Sequence, residues 1–210
     1  NYFRSSASYR VRIALALKGL PYEYVSVHLA NGEHQQAEFA AIATDGLVPL
    51  LELDDGTRLS QSMAIMEFLD EQHPAAPALL PGGALEKARV RALAQSIACE
   101  IHPLNNLRVL KYLVRELKVD EAAKNNWYRH WVRTGLEAFE RQLTLQPAAV
   151  FACGHAPTMA DCCLVPQIYN AQRFDTPLNG LPRTMAAFDA CMALPAFQAA
   201  QPSACPDVDS

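Results

Sequence analysis

The chain has 210 residues, half of them hydrophobic and 19% charged, enough for one large or two modest globular domains. A net charge of −4 argues against non-specific nucleic-acid binding, and no apolar run nears the roughly 20 residues that a membrane span needs. Six cysteines (99, 153, 162, 163, 191, 205) form no C-x-x-C pair, and six histidines (28, 34, 73, 102, 130, 155) lack metal-ligand spacing. No secretory leader is visible, so reduced, mostly buried thiols in a cytoplasmic protein without a metal site are expected.

The first 72 residues alternate strand and helix signals. Asn1–Arg4 reads as the end of a strand, Ser8–Lys18 as a helix stopped by Gly19, and Tyr22–Val27 as a second strand. A short helical stretch near His34–Ile42 precedes a hairpin, Leu47–Leu53 and Thr57–Leu59, turning on Asp54-Asp55-Gly56. Gln61–Gln72 is a further helix, stopped by Pro74. The order β-α-β-α-β-β-α predicts a mixed sheet. Residues 1–22 contain four bases (4, 10, 12, 18) and no acid, inside a region holding five Lys/Arg against ten Asp/Glu. A basic opening in an acidic region points to an anion site.

Residues 73–83, with three prolines and two glycines, read as a linker. Everything beyond is helical in pattern. Ala84–Leu117 reads as one long helix kinked at Pro103, followed by Glu121–Leu143. Thr158 and Asp161 form a capping-box pattern that opens a helix toward Phe174, and shorter helices follow Pro182 and Pro195. The expected domains are therefore 1–72 and 84–210.

Several stretches carry a family likeness. Phe3-Arg4-Ser5-Ser6-Ala7-Ser8-Tyr9-Arg10-Val11-Arg12, Leu47-Val48-Pro49, Gln61-Ser62-Met63-Ala64-Ile65, His102-Pro103-Leu104-Asn105-Asn106-Leu107, Thr158–Gln167 and Ala171-Gln172-Arg173-Phe174 run in order along the chain. Together they resemble the zeta class of glutathione transferases, which includes maleylacetoacetate and maleylpyruvate isomerases. That resemblance implies a glutathione transferase fold: an α/β thioredoxin-like N-terminal domain that binds glutathione, then an all-α C-terminal domain that binds substrate. It implies glutathione as cofactor, a homodimer, a small dicarboxylate substrate, and cis–trans isomerisation of a maleyl dicarbonyl acid to its fumaryl isomer in aromatic catabolism. Family members commonly carry cysteine where this chain has Ala7, so no thiol assists at that position.

Site residues follow from the same resemblance. Lowering a thiol pKa by about two units takes about 2.7 kcal/mol of preferential thiolate stabilisation. One hydroxyl hydrogen-bonded to the charge supplies roughly 1.5–3 kcal/mol, and a helix N-terminus roughly 0.3–2 kcal/mol. Ser5 is implied as that hydroxyl, with Ser6 as its alternative; a plain helix cap is the competing role. Val48 and a cis Pro49, Gln61, Ser62, His34 and Asn105 are implied glutathione contacts. Arg4, His102, Asn106, Arg108 and Arg173 are the implied grip on the diacid, while Arg10 and Arg12 read as structural because they share a helix with a broad apolar face. The rival functions are a general glutathione transferase acting on electrophiles such as α-haloacids, and a non-catalytic binding protein of the same fold. A disulfide oxidoreductase is disfavoured because no cysteine precedes position 99.

Overall fold

The computed structural model describes residues 1–74 and 77–208. Positions 75 and 76 of the expected linker, and 209 and 210 of the expected helical domain, lie outside the described residues. The chain divides into two compact units, Asn1–Leu80 with Met192–Ser210, and Pro81–Cys191.

In the first unit α1 spans Ser6–Lys18. It starts two residues before the expected Ser8 because Ser5 takes the cap position. At its other end Gly19 adopts φ 65°, and the Leu20 N–H reaches the Leu15 carbonyl at 3.0 Å, closing the last turn as a left-handed glycine permits. A 3₁₀ turn at Glu33–Gln35 and α2 at Ala37–Ala40 replace the single helical stretch expected there, because Gln36 between them is extended. Strands β1 (Leu50–Glu52) and β2 (Arg58–Ser60) pair antiparallel with Leu51 opposite Leu59, around Gly56 at φ 83°. The strand starts after Pro49, which has no N–H to give a ladder. Helix α3 covers Ser62–Gln72 and ends ahead of Pro74.

The expected mixed sheet is smaller than its pattern. Among the described residues only β1 and β2 form named strands. The segments at 1–4 and 22–27 share two bonds, Val27 N–H to the Asn1 carbonyl (2.7 Å) and the Asn1 amino group to the Val25 carbonyl (3.0 Å). Burial over Tyr22–Val27 does not follow the alternation in its sequence. Tyr24 and Val27, three residues apart, pack on the Tyr2–Phe3 cluster while Tyr22 and Val25 are exposed, so the segment is held by those two contacts rather than by one strand face.

Residues 192–208, expected in the helical domain, belong to the first unit. Helix α8 (Pro182–Met192) leads to α9 (Pro195–Ala200), which packs on α1. Arg12 explains why: its Nε donates to the Ala200 carbonyl (2.9 Å), and its other nitrogens donate to Asn1 Oδ1 and to the carbonyls of Tyr2 and Phe3. Asp207 accepts from the Phe3 N–H (3.1 Å) and the Tyr24 hydroxyl (2.7 Å). Lys18 and Asp70 form an ion pair at 2.6 Å, and Asp70 also accepts the N–H groups of Leu79 and Leu80.

The second unit is built on α4 (Ala84–Ala98), α5 (Leu107–Arg115), α6 (Glu121–Thr144) and α7 (Met159–Arg173). The long helix expected over 84–117 is therefore broken, with a 3₁₀ turn at His102–Asn105 between α4 and α5. Pro103 lacks an N–H and disfavours helical backbone at His102, so the helix stops and restarts rather than bending. Val90, Leu93, Ala94 and Ile97 of α4 are buried, as are Val132, Leu136 and Phe139 of α6 and Met159–Ile168 of α7. Gly135 of α6 leaves room for Ile101: a β-carbon at 135 would overlap the Ile101 side chain. Two helix starts in this unit are sealed by buried carboxylates. Asp161 accepts Thr158 N–H, Thr158 Oγ and Ala152 N–H at 2.8–2.9 Å, and Glu140 accepts the N–H groups of Arg183 and Thr184 and the Thr184 hydroxyl.

Candidate active site

Tyr2 and Phe3 are buried with Phe39, Ala43, Val48 and Cys205 in one apolar cluster. That anchor delivers the next residues to the start of α1: Arg4 exposed, Ser5 half-buried, Ser6 buried. Arg4 sets its guanidinium 4.8 Å from the Phe3 ring centre. Ser5 is extended (φ −70°, ψ 116°) and its Oγ accepts the Ser8 N–H at 3.2 Å. The capping role is thus filled, and it does not use up the side chain: an oxygen that accepts keeps its own hydrogen to donate. No acid sits in the first turn, so nothing there offsets the positive end of the helix.

The cluster ties a second piece to this start. Val48 belongs to it, and the Val48–Pro49 peptide is cis. His34, half-buried in its 3₁₀ turn, puts its carbonyl against Gly46 in the loop leading to Val48. Gln61 takes φ 67° and ψ 110°, a conformation that side-chain-bearing residues rarely adopt and that concentrates at functional sites. Its amide reaches Asp45 Oδ2 (3.4 Å) and makes no capping bond, so α3 begins without a side-chain cap. Ser62, the first residue of α3, is 5% exposed, and its Oγ accepts from Arg10 Nη1 at 3.3 Å. Arg10 is 3% exposed, with Nε and Nη2 buried and unpartnered. Asp45 is not among the expected site residues, and Arg10, expected to be structural, bonds one of them, Ser62. The available signal was an always-charged residue on the buried face of a helix whose neighbourhood has no acid.

The remaining candidates lie in the second unit. The His102–Asn105 turn is pinned by Trp127, whose Nε1 donates to the Leu104 carbonyl at 2.9 Å. Both polar atoms of the Asn105 amide are buried without a partner. Asn106 caps α5, its Oδ1 accepting the Arg108 N–H at 3.1 Å, while Arg108 itself is exposed. Arg173 closes α7 with Nη1 on Asn170 Oδ1 (3.0 Å) and its guanidinium beside the Tyr169 and Phe174 rings. Tyr128 stacks on Phe174 at 3.8 Å, and Arg129 donates to the Phe174 carbonyl. Three consecutive residues of α6, Trp127 to Arg129, thus hold both the 102–106 turn and the end of α7; none of the three figured in the sequence reading. The structure brings Ser5, Ser6, Val48, Pro49, Gln61 and Ser62 together in the first unit, and His102–Arg108 with Arg173 around α6 in the second. All six cysteines are free thiols, and among the described residues no His/Cys/Asp/Glu group is placed to hold a metal ion. No helix of the described residues is long and apolar enough to cross a membrane.

The family model for the glutathione S-transferase N-terminal domain matches residues 4–72. Maleylpyruvate isomerase of Ralstonia sp is 47% identical over 209 residues, covering 99% of this chain and 97% of that protein. A holo structure of maleyl pyruvate isomerase, described as a bacterial glutathione-S-transferase in the zeta class, superposes with a TM-score of 0.95 at 47% identity, over 99% of this chain and 97% of the other. Maleylacetoacetate isomerase from Anaeromyxobacter dehalogenans 2CP-1, solved with GSH bound in the active site, gives a TM-score of 0.88 at 44% identity, over 99% and 95%. With the capped start of α1, the cis-proline loop and the uncapped start of α3 in one unit, the chain belongs to the zeta class of the glutathione transferase family.

Proposed function

We propose that this protein is a glutathione-dependent isomerase that converts a maleyl dicarbonyl acid, maleylpyruvate or maleylacetoacetate, to its fumaryl isomer. The observation that carries the reading is Ser5: its oxygen accepts the Ser8 N–H, which leaves the hydroxyl hydrogen free to donate at the positive end of α1. The residues fit glutathione. It is a peptide with two carboxylates and a thiol, and buried, unpartnered groups suit it: Arg10 Nε and Nη2 as donors toward a carboxylate, and the Asn105 amide as donor and acceptor toward a peptide group. Glutathione supplies, when bound, a thiolate that adds reversibly to the cis double bond, so that the bond becomes single, rotates and is re-formed trans with the thiol unchanged.

The chain's own residues do the rest. Ser5, with Ser6 beside it, donates a hydrogen bond to the sulfur and stabilises the ionised thiol. The backbone of Val48 ahead of Pro49 holds the peptide extended, His34 and Asn105 add contacts, and Gln61 with Ser62 places the γ-glutamyl carboxylate at the start of α3. Arg4, Arg108 and Arg173 grip the carboxylates of the diacid and stabilise the negative charge that develops on its carbonyl oxygen, with His102 and Asn106 as polar supports. No general base is required, since the same sulfur adds and leaves. Residues 1–72, in the first unit, form the glutathione-binding part and residues 84–191, in the second, the substrate-binding part, and the protein works as a homodimer in the cytoplasm; six free thiols support that compartment.

Turnover of both maleyl acids, with and without glutathione, tests the reading. We expect conversion to the fumaryl acid that depends on glutathione but consumes none. Thioether formation in step with substrate loss would instead make the protein a general transferase, and no glutathione binding in calorimetry would leave only a scaffold.

A further inference from the structure

Two arginines lie two residues apart on α1 and are both buried, yet they are partnered in opposite ways. Arg12 uses all three nitrogens on oxygens of its own unit and stacks 5.1 Å from the Tyr9 ring centre. Among the described residues Arg10 makes one side-chain hydrogen bond, Nη1 to Ser62 Oγ at 3.3 Å, and its Nε and Nη2 are buried without an acceptor. A guanidinium stays charged throughout the working pH range and is strongly disfavoured inside a protein without a counter-charge. Arg12 explains itself as a staple. Arg10 does not.

Ser62, the side chain to which Arg10 donates, opens α3, where Gln61 gives no cap and sits at φ 67°. An anion placed there would meet three favourable features together: the positive end of an 11-residue helix, the Ser62 hydroxyl and a buried cation behind that hydroxyl. The arrangement has a direction. Because Ser62 Oγ accepts from Arg10, the Ser62 hydrogen is turned away from Arg10 and is the one that donates to a ligand. We propose that Arg10 is a positioning residue for a ligand carboxylate at the start of α3, acting through Ser62 and supplying the charge that this carboxylate balances. On the glutathione reading, on which this inference rests, the carboxylate is the α-carboxylate of the γ-glutamyl residue. The first-unit site is then charged from inside α1, and recognition of that carboxylate depends on a residue that does not face solvent.

The test compares glutathione with its analogue lacking that carboxylate, 4-aminobutyryl-cysteinyl-glycine, by calorimetry on the full chain and on its Arg10→Met and Arg10→Lys variants. A charge-assisted buried contact predicts that Arg10→Met weakens glutathione binding about 10- to 100-fold and leaves the analogue within about twofold, so that discrimination between the two ligands collapses; Arg10→Lys restores part of it. In turnover, KM for glutathione rises while kcat at saturating glutathione stays close to the parent value. Equal loss on both ligands, or unchanged discrimination, overturns the proposal and makes Arg10 a packing residue. Should Arg10→Met not fold, Arg10→Gln, also uncharged, is read the same way. A parent protein that binds neither ligand sinks the isomerase reading itself, whereas a parent that discriminates and a variant that still does sinks only the role of Arg10.

Discussion

Helix starts in the two units are treated in contrasting ways. In the second unit, α7 and α8 are closed by the chain's own carboxylates, Asp161 and Glu140, each accepting three hydrogen bonds from the residues that open the helix or precede it. In the first unit, α3 has no side-chain cap, and behind it stands a cation with two unused nitrogens. Between these extremes is α1, capped by Ser5 with a hydroxyl hydrogen to spare. A helix N-terminus has four N–H groups to satisfy and carries a partial positive charge, so a carboxylate is stabilised there whether it comes from the chain or from a ligand. The filled ends at α7 and α8 hold the fold, and the open end at α3 is where the proposed carboxylate binds.

The largest expected effect breaks a filled end. Asp161→Ala strands Thr158 and Ala152 donors in a fully buried place and should cost about 3 kcal/mol or more, lowering the melting temperature by about 6–12 °C. Ser62→Ala at the open end should move stability by less than about 1 kcal/mol while weakening glutathione binding about tenfold or more. Urea unfolding and calorimetry on both variants decide the matter; similar stability losses would erase the distinction drawn between the two ends.

Ser5→Ala sharpens the intermediate case. It should raise the pKa of the bound thiol by about one to two units, read from thiolate absorbance against pH, with a cap loss of about 1 kcal/mol in unfolding. A cap loss without any change in thiol acidity would return Ser5 to the class of filled ends.

The smallest effect concerns Asp70, near the end of α3. Burial pushes its carboxyl up, but the Lys18 ammonium and the N–H groups of Leu79 and Leu80 outweigh burial and hold it below the usual carboxylate range. A depressed folded pKa contributes stability that is present above the unfolded value, about 3.9, and is lost as pH falls through the folded one. Urea midpoints measured from pH 6 down to pH 3 should therefore fall, and Asp70→Asn should flatten that fall. An unchanged acid slope in the variant would show that other carboxylates govern it.

How much of this was legible beforehand depended on the range of the signal. Gly19, Pro74 and the Thr158–Asp161 pair mark helix ends through local chemistry, and the structure ends or begins helices beside each of them. Pro103 was read as a kink and is a break, because periodicity over 84–117 carries no information on whether the chain resumes the same axis. The environment of Arg10 is set by Ser62, 52 residues away, and no window along α1 contains that fact. The broad apolar face of its helix makes it read as structural, which is true of Arg12 and, on the proposal above, incomplete for Arg10. Ser5 and Asn106 are expected site residues, and both cap helices; a short polar side chain that caps keeps hydrogen-bonding capacity for a ligand.

Residues 192–208 return to the first unit to receive Arg12 and to cover the Phe3 N–H, and this has a consequence for biosynthesis. A nascent chain exposes residues 1–80 long before Ala200 and Asp207 leave the ribosome, so the unit made first is completed last. Until then the Arg12 guanidinium lacks the Ala200 carbonyl, and Tyr2 and Phe3 lack the Cys205 side of their cluster. A fragment ending near residue 80 would be a collapsed chain without its closing piece, and premature truncation anywhere in the second unit would disable the first.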